Sequence, residues 1–297
     1  PDNPGLNLRA GVLLVTEGHL AEAIPLLRKL PDGGSGSTVA NFVLSAHDIA
    51  EGRFDGAVDR LSRLPENGFN HFVGPLLRAW ALAGAGNADA ALDALAGLSS
   101  TTGAEALHDL HAGLINDMAG RNARALEDLR RAVADDRAGA FRAVELVGRF
   151  LERTGRSEEA LELYDRFLAE HPDSDLVAPE LARIRASQTA PRDIATAADG
   201  AAQALFDLAG AFRQQNAREM ALLFGRLALS LKPDFPAVQI LVGDILEGAE
   251  RPEAANRIYA SINKESAFAW SARLRMALNL DQMDHPDEAV AQLRALA

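Results

Sequence analysis

The chain has 297 residues, of which 48% are hydrophobic and 5% aromatic, and its formal net charge is −12. An acidic chain whose Lys and Arg form no run lacks the clustered positive charge that binds phosphates, so we expect no nucleic-acid partner. The absence of Cys excludes disulfides and thiolate metal sites, and no apolar stretch reaches the roughly 20 residues that cross a bilayer.

A small residue followed five positions later by Ala recurs along the chain. The pairs are Gly18 with Ala23, Gly52 with Ala57, Gly86 with Ala91, Gly120 with Ala125, and Gly155 with Ala160. The same frame then returns, without a small first residue, as Asn216 with Ala221, Glu250 with Ala255, and Asp284 with Ala289. Successive pairs lie 34 or 35 residues apart, except for the 61 residues between Gly155 and Asn216. A fixed period of this length predicts a helical repeat array.

Each unit consists of two amphipathic helices joined by a tight turn, and the fifth unit shows the pattern best. Its first helix is predicted at about 141–153, and Gly155 is free to take the left-handed conformation that ends a helix. Ser157 is the predicted N-cap of the second helix. Gly148 and Ala160 are small, and we expect them to face each other where the two helices approach closely.

This pattern resembles the tetratricopeptide repeat, which has a small residue at its eighth place, Ala at its twentieth and Pro near its end. The eighth place holds Gly11, Ser45, Ala79, Gly113, Gly148, Ala209, Gly243 and Ala277, and the twentieth is Ala in every unit. More narrowly, the stretch from Gly200 onward resembles the long tetratricopeptide proteins of alphaproteobacteria, many of which look exported. That resemblance implies a bacterial protein of the periplasm or cell envelope, with the cytoplasm as the alternative.

We therefore predict an all-α fold, a right-handed α-solenoid of about eight tetratricopeptide-like units. Units one to five are assigned to residues 1–172 and units six to eight to residues 202–297, as a fragment of a longer protein. The residues between them, 173–201, are predicted to form an inserted helix at 176–187 and a linker. The Gly- and Ser-rich stretch 31–37 is predicted to be a flexible loop.

No group of residues in the sequence indicates catalysis. His108 and His111 are three positions apart on one predicted helix, with Asp109 between them, and two His at this spacing can share a metal ion. A third ligand is not evident, although Asp117 lies two turns further on. We therefore expect no metal, no cofactor and no enzymatic activity, because repeat arrays generally bind other molecules rather than transform them.

The resemblance implies that the first helix of each unit lines a concave groove. In the first four units the groove places are unusually apolar, and the candidate partner-binding residues there are Val39, Phe42, Ile49, Val73, Leu76, Trp80, Leu110 and Leu114. In the fifth unit the same places hold Arg142, Glu145 and Arg149, which we also take as candidates for a groove of mixed charge.

Two explanations of the apolar stripe remain open at this point. It either forms a groove that binds a partner helix or extended segment, with Phe42 and Trp80 as anchors, or it is core, because the first four units coil tightly. The element that covers it is then a partner, further repeats of this protein or a second copy. We expect a protein–protein interaction scaffold or adaptor, and the alternative is a structural protein that assembles into homo-oligomers.

Overall fold

The computed structural model describes residues 3–31, 35–65, 67–134 and 141–294. These residues form seventeen helices and no strand. In chain order the helices are α1 (Pro4–Glu17), α2 (Leu20–Leu27), α3 (Ser35–Ala50), α4 (Phe54–Ser62), α5 (Asn70–Gly84), α6 (Ala88–Ser99), α7 (Glu105–Met118), α8 (Asn122–Ala132), α9 (Phe141–Arg153), α10 (Ser157–Glu170), α11 (Ala178–Arg185), α12 (Ala197–Gln214), α13 (Arg218–Leu231), α14 (Pro236–Glu247), α15 (Pro252–Ala260), α16 (Ala269–Gln282) and α17 (Pro286–Arg294).

The helices form successive pairs, and the predicted all-α solenoid is confirmed. The pairs are α1 with α2, α3 with α4, α5 with α6, α7 with α8, α9 with α10, α12 with α13, α14 with α15, and α16 with α17. The second helix of a pair generally also packs on the first helix of the next, as α6 does on α7 and α13 on α14, whereas α10 packs on α11. The remaining helix, α11, lies within the stretch where an inserted helix is predicted. Within the described ranges, no helix is both long and apolar enough to cross a membrane.

Three local predictions need correction. The loop predicted at 31–37 is wrong at its end, because α3 begins at Ser35, while residues 32–34 lie outside the described residues. Ser157 is the first residue of α10 rather than its N-cap. A Cβ atom added at Gly148 would lie 2.2 Å from the hydroxyl oxygen of Tyr164, so the helices approach closely there, but Tyr164 rather than Ala160 lies nearest to Gly148.

The turn inside each pair places one residue in the left-handed conformation. Gly occupies this position in the first five pairs, whereas Asn216, Glu250 and Asp284 occupy it in the last three, with φ of 59°, 58° and 61°. The residue after it closes the turn, since the Arg251 N–H donates to the Leu246 carbonyl at 3.0 Å. A side chain at this position strains the backbone, because Cβ approaches a carbonyl oxygen in the left-handed region.

Glu250→Gly is accordingly expected to raise the free energy of unfolding by roughly 0.5–1 kcal/mol. Relief of the left-handed strain contributes about 1–2 kcal/mol, and the greater backbone freedom of unfolded Gly offsets part of it. Gly52→Glu, at the equivalent turn of the second pair, is the reverse change and is expected to lower the same quantity by roughly 0.5–1 kcal/mol. Urea unfolding followed by circular dichroism measures both, and equal stability of Glu250→Gly and wild type would contradict the strain.

The sixth pair packs far from its neighbours in sequence. In an open solenoid each unit contacts only the next unit, but here α12 also packs against α3, α5 and α7, and α13 against α1 and α3. Aromatic contacts join the two regions, with ring centroids 6.3 Å apart for Phe42 and Phe224 and 6.0 Å for Phe69 and Phe212. The superhelix is therefore coiled tightly enough for α12 and α13 to lie inside the face formed by the first four pairs.

Candidate interaction site

The apolar candidates of the first four units lie on α3, α5 and α7, the three helices on which α12 packs. Of these eight side chains, Val39 is half-buried and the buried ones are Phe42, Ile49, Val73, Leu76, Trp80, Leu110 and Leu114. The chain's own sixth pair thus covers the stripe in this conformation. Binding of a partner at the stripe stays a prediction, and it would require α12 to leave.

Trp80 makes the closest contact between α5 and α12. A Cβ atom at Gly200 would lie 2.1 Å from the indole ring, so only Gly at that position allows the two helices to approach this closely. The indole N–H donates to His111 Nδ1 at 3.0 Å, and His111 Nε2 lies 3.1 Å from an Asp207 carboxylate oxygen. Because Nδ1 accepts, Nε2 carries the ring hydrogen and donates it to Asp207.

The predicted histidine pair is thus used for hydrogen bonding. Both ring nitrogens of buried His111 have protein partners, and His108 Nδ1 lies 3.1 Å from Asp109. In the described part of the chain, no group of three or more His, Cys, Asp or Glu side chains is placed to hold a metal ion. Asp117, the remaining candidate ligand, instead accepts from Arg153 at 2.7 Å.

A chain of polar contacts runs from this histidine to the fifth pair. Gln203 donates to the second carboxylate oxygen of Asp207 at 2.9 Å and accepts from Arg142 Nε at 2.9 Å. Arg142 in turn donates to Glu145 at 2.6 Å. The chain joins α7, α12 and α9 through buried or half-buried groups, and such a network is stable only when its members are paired. It links the apolar stripe to the charged candidates of the fifth unit.

The three charged candidates, Arg142, Glu145 and Arg149, lie in one ionic cluster with two acids from the region after α10. Arg149 contacts Glu145, Glu180 and Asp193, each at 2.7 Å. Burial raises the pKa of Asp193, but the positive charges of Arg142 and Arg149 outweigh burial and hold that pKa below its usual range. The carboxylate is therefore ionised, and it ties the segment between α11 and α12 to α9.

This cluster forms part of a cleft of about 520 Å³, which we call the α9–α14 cleft. Its other walls come from the start of α11, the segment after it, the N-terminal end of α14 and the loop before α16. The residues that line it are Arg142, Glu145, Arg149, Pro179, Glu180, Pro191, Asp193, Lys232, Asp234, Phe235, Pro236, Ala237, Asn263, Glu265, Ser266, Ala267 and Phe268. The three charged candidates are thus brought together in one cavity, apart from the apolar stripe.

The cations of the α9–α14 cleft are already engaged. The Arg142 guanidinium lies 4.9 Å from the centre of the Phe235 ring, in addition to its carboxylate partners. Lys232 Nζ lies 3.1 Å from Asp199 and donates to the Asp193 carbonyl at 2.7 Å. Asp234 and Glu265 are exposed, and neither makes an ion pair within the described ranges. The charge left free in the cleft is therefore negative.

Sequence reasoning missed most of this cleft, since only Arg142, Glu145 and Arg149 among its seventeen lining residues were candidates. Glu180 and Asp193 belong to the stretch predicted as an insertion, where no repeat place marks them. Phe235 and Phe268 each precede a first helix, at α14 and α16, and lie outside the places expected to line a groove. The Pro residue after Phe235 marks the start of α14 in the sequence. The residues that this helix end packs against depend on the path of the superhelix, and the local sequence does not indicate them.

Comparison with known proteins supports the repeat assignment. A family model described as Tetratricopeptide repeat matches residues 141–184, which span α9, α10 and nearly all of α11. The predicted tetratricopeptide resemblance is thus confirmed, whereas the narrower resemblance to alphaproteobacterial proteins stays a prediction. No curated protein matches the chain.

Three solved structures are similar to the chain at low identity. One is the structure of Naa15/Naa10 bound to HypK-THB, at 12% identity and a TM-score of 0.36, where the match covers 95% of this chain and 56% of that one. Yeast Tom70 matches at 14% identity and a TM-score of 0.29, and the match covers 100% of this chain and 78% of that one. The P58(IPK) TPR domain matches at 15% identity and a TM-score of 0.29, and the match covers 99% of this chain and 80% of that one. These identities are too low to indicate a shared function. The chain is an all-α array of helix pairs that carries a tetratricopeptide repeat at residues 141–184.

Proposed function

We propose that this protein is a non-catalytic interaction scaffold that binds a segment of a partner protein in the α9–α14 cleft. The observation that carries the proposal is the charge state of the cleft. Its cations are paired within the protein, while Asp234 and Glu265 are exposed and make no ion pair in the described part of the chain. A tetratricopeptide repeat supplies one wall, and repeats of this kind typically bind proteins.

The free charges favour a basic partner segment. An acidic ligand would have to compete with Glu145, Glu180 and Asp193 for Arg149, and it would meet the uncompensated charges of Asp234 and Glu265. A Lys or Arg side chain would pair with those two acids, and its methylene groups would lie against the apolar lining. The net charge of −12 also steers a basic segment toward the protein.

The apolar lining favours a segment with an aromatic or aliphatic residue beside the basic one. Phe268 is half-buried and Pro179, Pro191 and Pro236 line the same cavity, so the walls combine aromatic and proline surface with a few charges. Protein-binding surfaces have this composition, with an apolar centre and polar groups around it. The side chains of the apolar stripe, in contrast, are buried in this conformation apart from half-buried Val39.

Selection from a random peptide library displayed on phage tests the proposal. We expect the protein to enrich peptides in which Lys or Arg neighbours an aromatic or aliphatic residue. A variant carrying Asp234→Lys and Glu265→Lys is expected to bind those peptides at least roughly 10-fold more weakly, because the change places like charges at the contact. The matched control is Asp55→Lys with Asp93→Lys, which makes the same charge change at exposed positions on α4 and α6, outside the cleft.

The outcomes separate clearly. Loss of binding in the cleft variant with retention in the control supports the cleft as the binding site. Equal weakening in both variants would show that binding depends only on overall charge, and enrichment of acidic peptides would contradict the chemistry proposed. Circular dichroism of both variants confirms that the fold is kept, which is expected because all four positions are exposed.

A further inference from the structure

The segment between α4 and α5 contains an Asn-Gly sequence. Asn67 is the only Asn in the sequence that is followed by Gly. Asn67 and Gly68 are both exposed, and α5 begins two residues after Gly68. Because Gly carries no Cβ atom, its backbone nitrogen can approach a neighbouring side chain more closely than that of any other residue. The sequence therefore places a nucleophilic backbone nitrogen beside a side-chain amide on the surface.

Neither of these two groups is held by the fold. The side-chain amide of Asn67 and the backbone N–H of Gly68 make no hydrogen bond to another described residue. Apart from the chain neighbours of Gly68, no atom of the described chain lies within 4 Å of a Cβ atom added there, so the surrounding space is open. The nitrogen and the amide carbon can therefore meet after rotations that displace no packed group.

Other exposed Asn residues of the protein lack this combination. The Asn87 side chain accepts the N–H of Ala90 at 3.2 Å as the N-cap of α6. The Asn263 side chain accepts the N–H of Glu265 at 3.0 Å. Each of these two Asn residues is also followed by a residue that carries a Cβ atom. Their side chains are both engaged and hindered, whereas that of Asn67 is neither.

We propose that Asn67 is a site of spontaneous deamidation, which converts its side chain to Asp or isoaspartate with water as the co-reactant. The Gly68 nitrogen forms a bond to the side-chain carbonyl carbon of Asn67, and the bond from that carbon to the amide nitrogen breaks. The amide nitrogen leaves as ammonia and takes the hydrogen of the Gly68 N–H, so that a cyclic succinimide remains. Water then opens the ring at either carbonyl carbon and returns a hydrogen to the Gly68 nitrogen.

The two products differ in their effect on the start of α5. The Asn67 carbonyl accepts the N–H of Asn70 at 3.1 Å. Isoaspartate moves that carbonyl out of the main chain and adds a methylene group to the main chain, so this hydrogen bond is lost. Asp keeps the main chain and adds a negative charge before a helix that lacks a side-chain N-cap bond, which favours the helix.

Peptide mapping by mass spectrometry, after incubation of the folded protein at mildly alkaline pH, tests the proposal. We expect Asn67 to be converted to a mixture of Asp and isoaspartate, while Asn87 and Asn263 stay intact. Methyl transfer by a protein isoaspartate methyltransferase measures the isoaspartate product. A synthetic peptide of residues 62–72 gives the rate without the fold, and the folded protein is expected to react within roughly 10-fold of it, because exposed segments open at little cost.

Two glycine variants separate the reaction from a general effect on the fold. Gly68→Ala is expected to slow the reaction at least roughly 10-fold, because the added Cβ atom hinders the approach of the nitrogen. Gly103→Ala is the matched control, since Gly103 also has positive φ in a segment between helices and is not preceded by Asn. The control is expected to react at the same rate as wild type.

Three results would overturn the proposal. They are an Asn67 that stays intact in the folded protein while the peptide reacts, a rate that Gly68→Ala leaves unchanged, and equal reaction at Asn87 or Asn263. If Gly68→Ala loses its helical circular dichroism signal, Asn67→Gln replaces it, because the longer side chain disfavours ring closure. In that design, ammonia release from the folded protein that Asn67→Gln does not reduce would overturn the proposal.

Discussion

Trp80→Ala is expected to lower the free energy of unfolding by roughly 3–5 kcal/mol, the range for removing a large aromatic side chain from a packed interior. Trp80 has no exposed surface and lies against Gly200, where the absence of a side chain leaves no atom that can fill the space. The change also leaves His111 Nδ1 without its donor in a buried site, which adds to the loss. Because Trp80 joins α5 to α12, the cavity lies between the third and sixth helix pairs.

The other tryptophan provides a matched control. Trp270 is 60% exposed, so Trp270→Ala is expected to change the free energy of unfolding by less than roughly 0.5 kcal/mol. Urea unfolding followed by circular dichroism compares the two variants, and the Trp80→Ala curve is expected to have its midpoint at much lower urea. Similar midpoints for the two variants would mean that α12 does not lie on the stripe in solution.

Arg149→Met is expected to destabilise the fold by about 3–5 kcal/mol, the range for removing one partner of a buried ion pair. The substitution keeps much of the side-chain volume but leaves Glu145, Glu180 and Asp193 facing one another without their shared cation. The loss of Arg149 is expected to destabilise ionised Glu180 more than the other two acids, because the Glu180 side chain is almost fully buried. Arg142 and Arg183 still pair with these acids, but three neighbouring carboxylates with one cation fewer repel one another, so the region between α9 and α12 is expected to open first.

Two further variants separate this effect from the general loss of a surface charge. Arg63→Met removes an exposed ion pair with Asp59 and is expected to cost at most about 1 kcal/mol. Adding Glu180→Gln to Arg149→Met removes one of the three negative charges that Arg149 contacts, and the double variant is expected to recover part of the lost stability. Urea unfolding measures all three, and a cost for Arg149→Met no larger than that for Arg63→Met would contradict the buried cluster.

The paired helices could be predicted because their signals are local. The small residue at each turn, such as Gly155, and the Ala five positions later recur with the period of the unit, and both act within a few residues of their place in the sequence. The same frame holds where the residue type changes, since Asn216 and Asp284 take the left-handed conformation that Gly takes in earlier units. The bounds predicted for the first helix of the fifth unit, 141–153, are those of α9.

The cleft and the cover of the apolar stripe could not be predicted, because they depend on contacts between distant residues. His111 and Asp207 are 96 positions apart, and Arg149 and Asp193 are 44 positions apart. An apolar stripe has the same sequence pattern whether a partner, a second copy or a later helix of the chain covers it. The tightness of the superhelical coil determines which of the three covers the stripe. That tightness is the sum of small differences in packing at each boundary between units.

The position of α12 and α13 also bears on how the chain reaches its folded state. Repeat arrays built from neighbour contacts alone fold from any point and grow unit by unit. Here the side chains beneath α12 and α13, Phe42 and Trp80 among them, are covered only after residues 197–231 have been synthesised. Until then a nascent chain on the ribosome presents a continuous apolar surface of the kind that chaperones bind. Covering this surface requires contacts between residues far apart in the sequence, and such contacts slow folding. The same contacts make the first and sixth pairs parts of one cooperative unit.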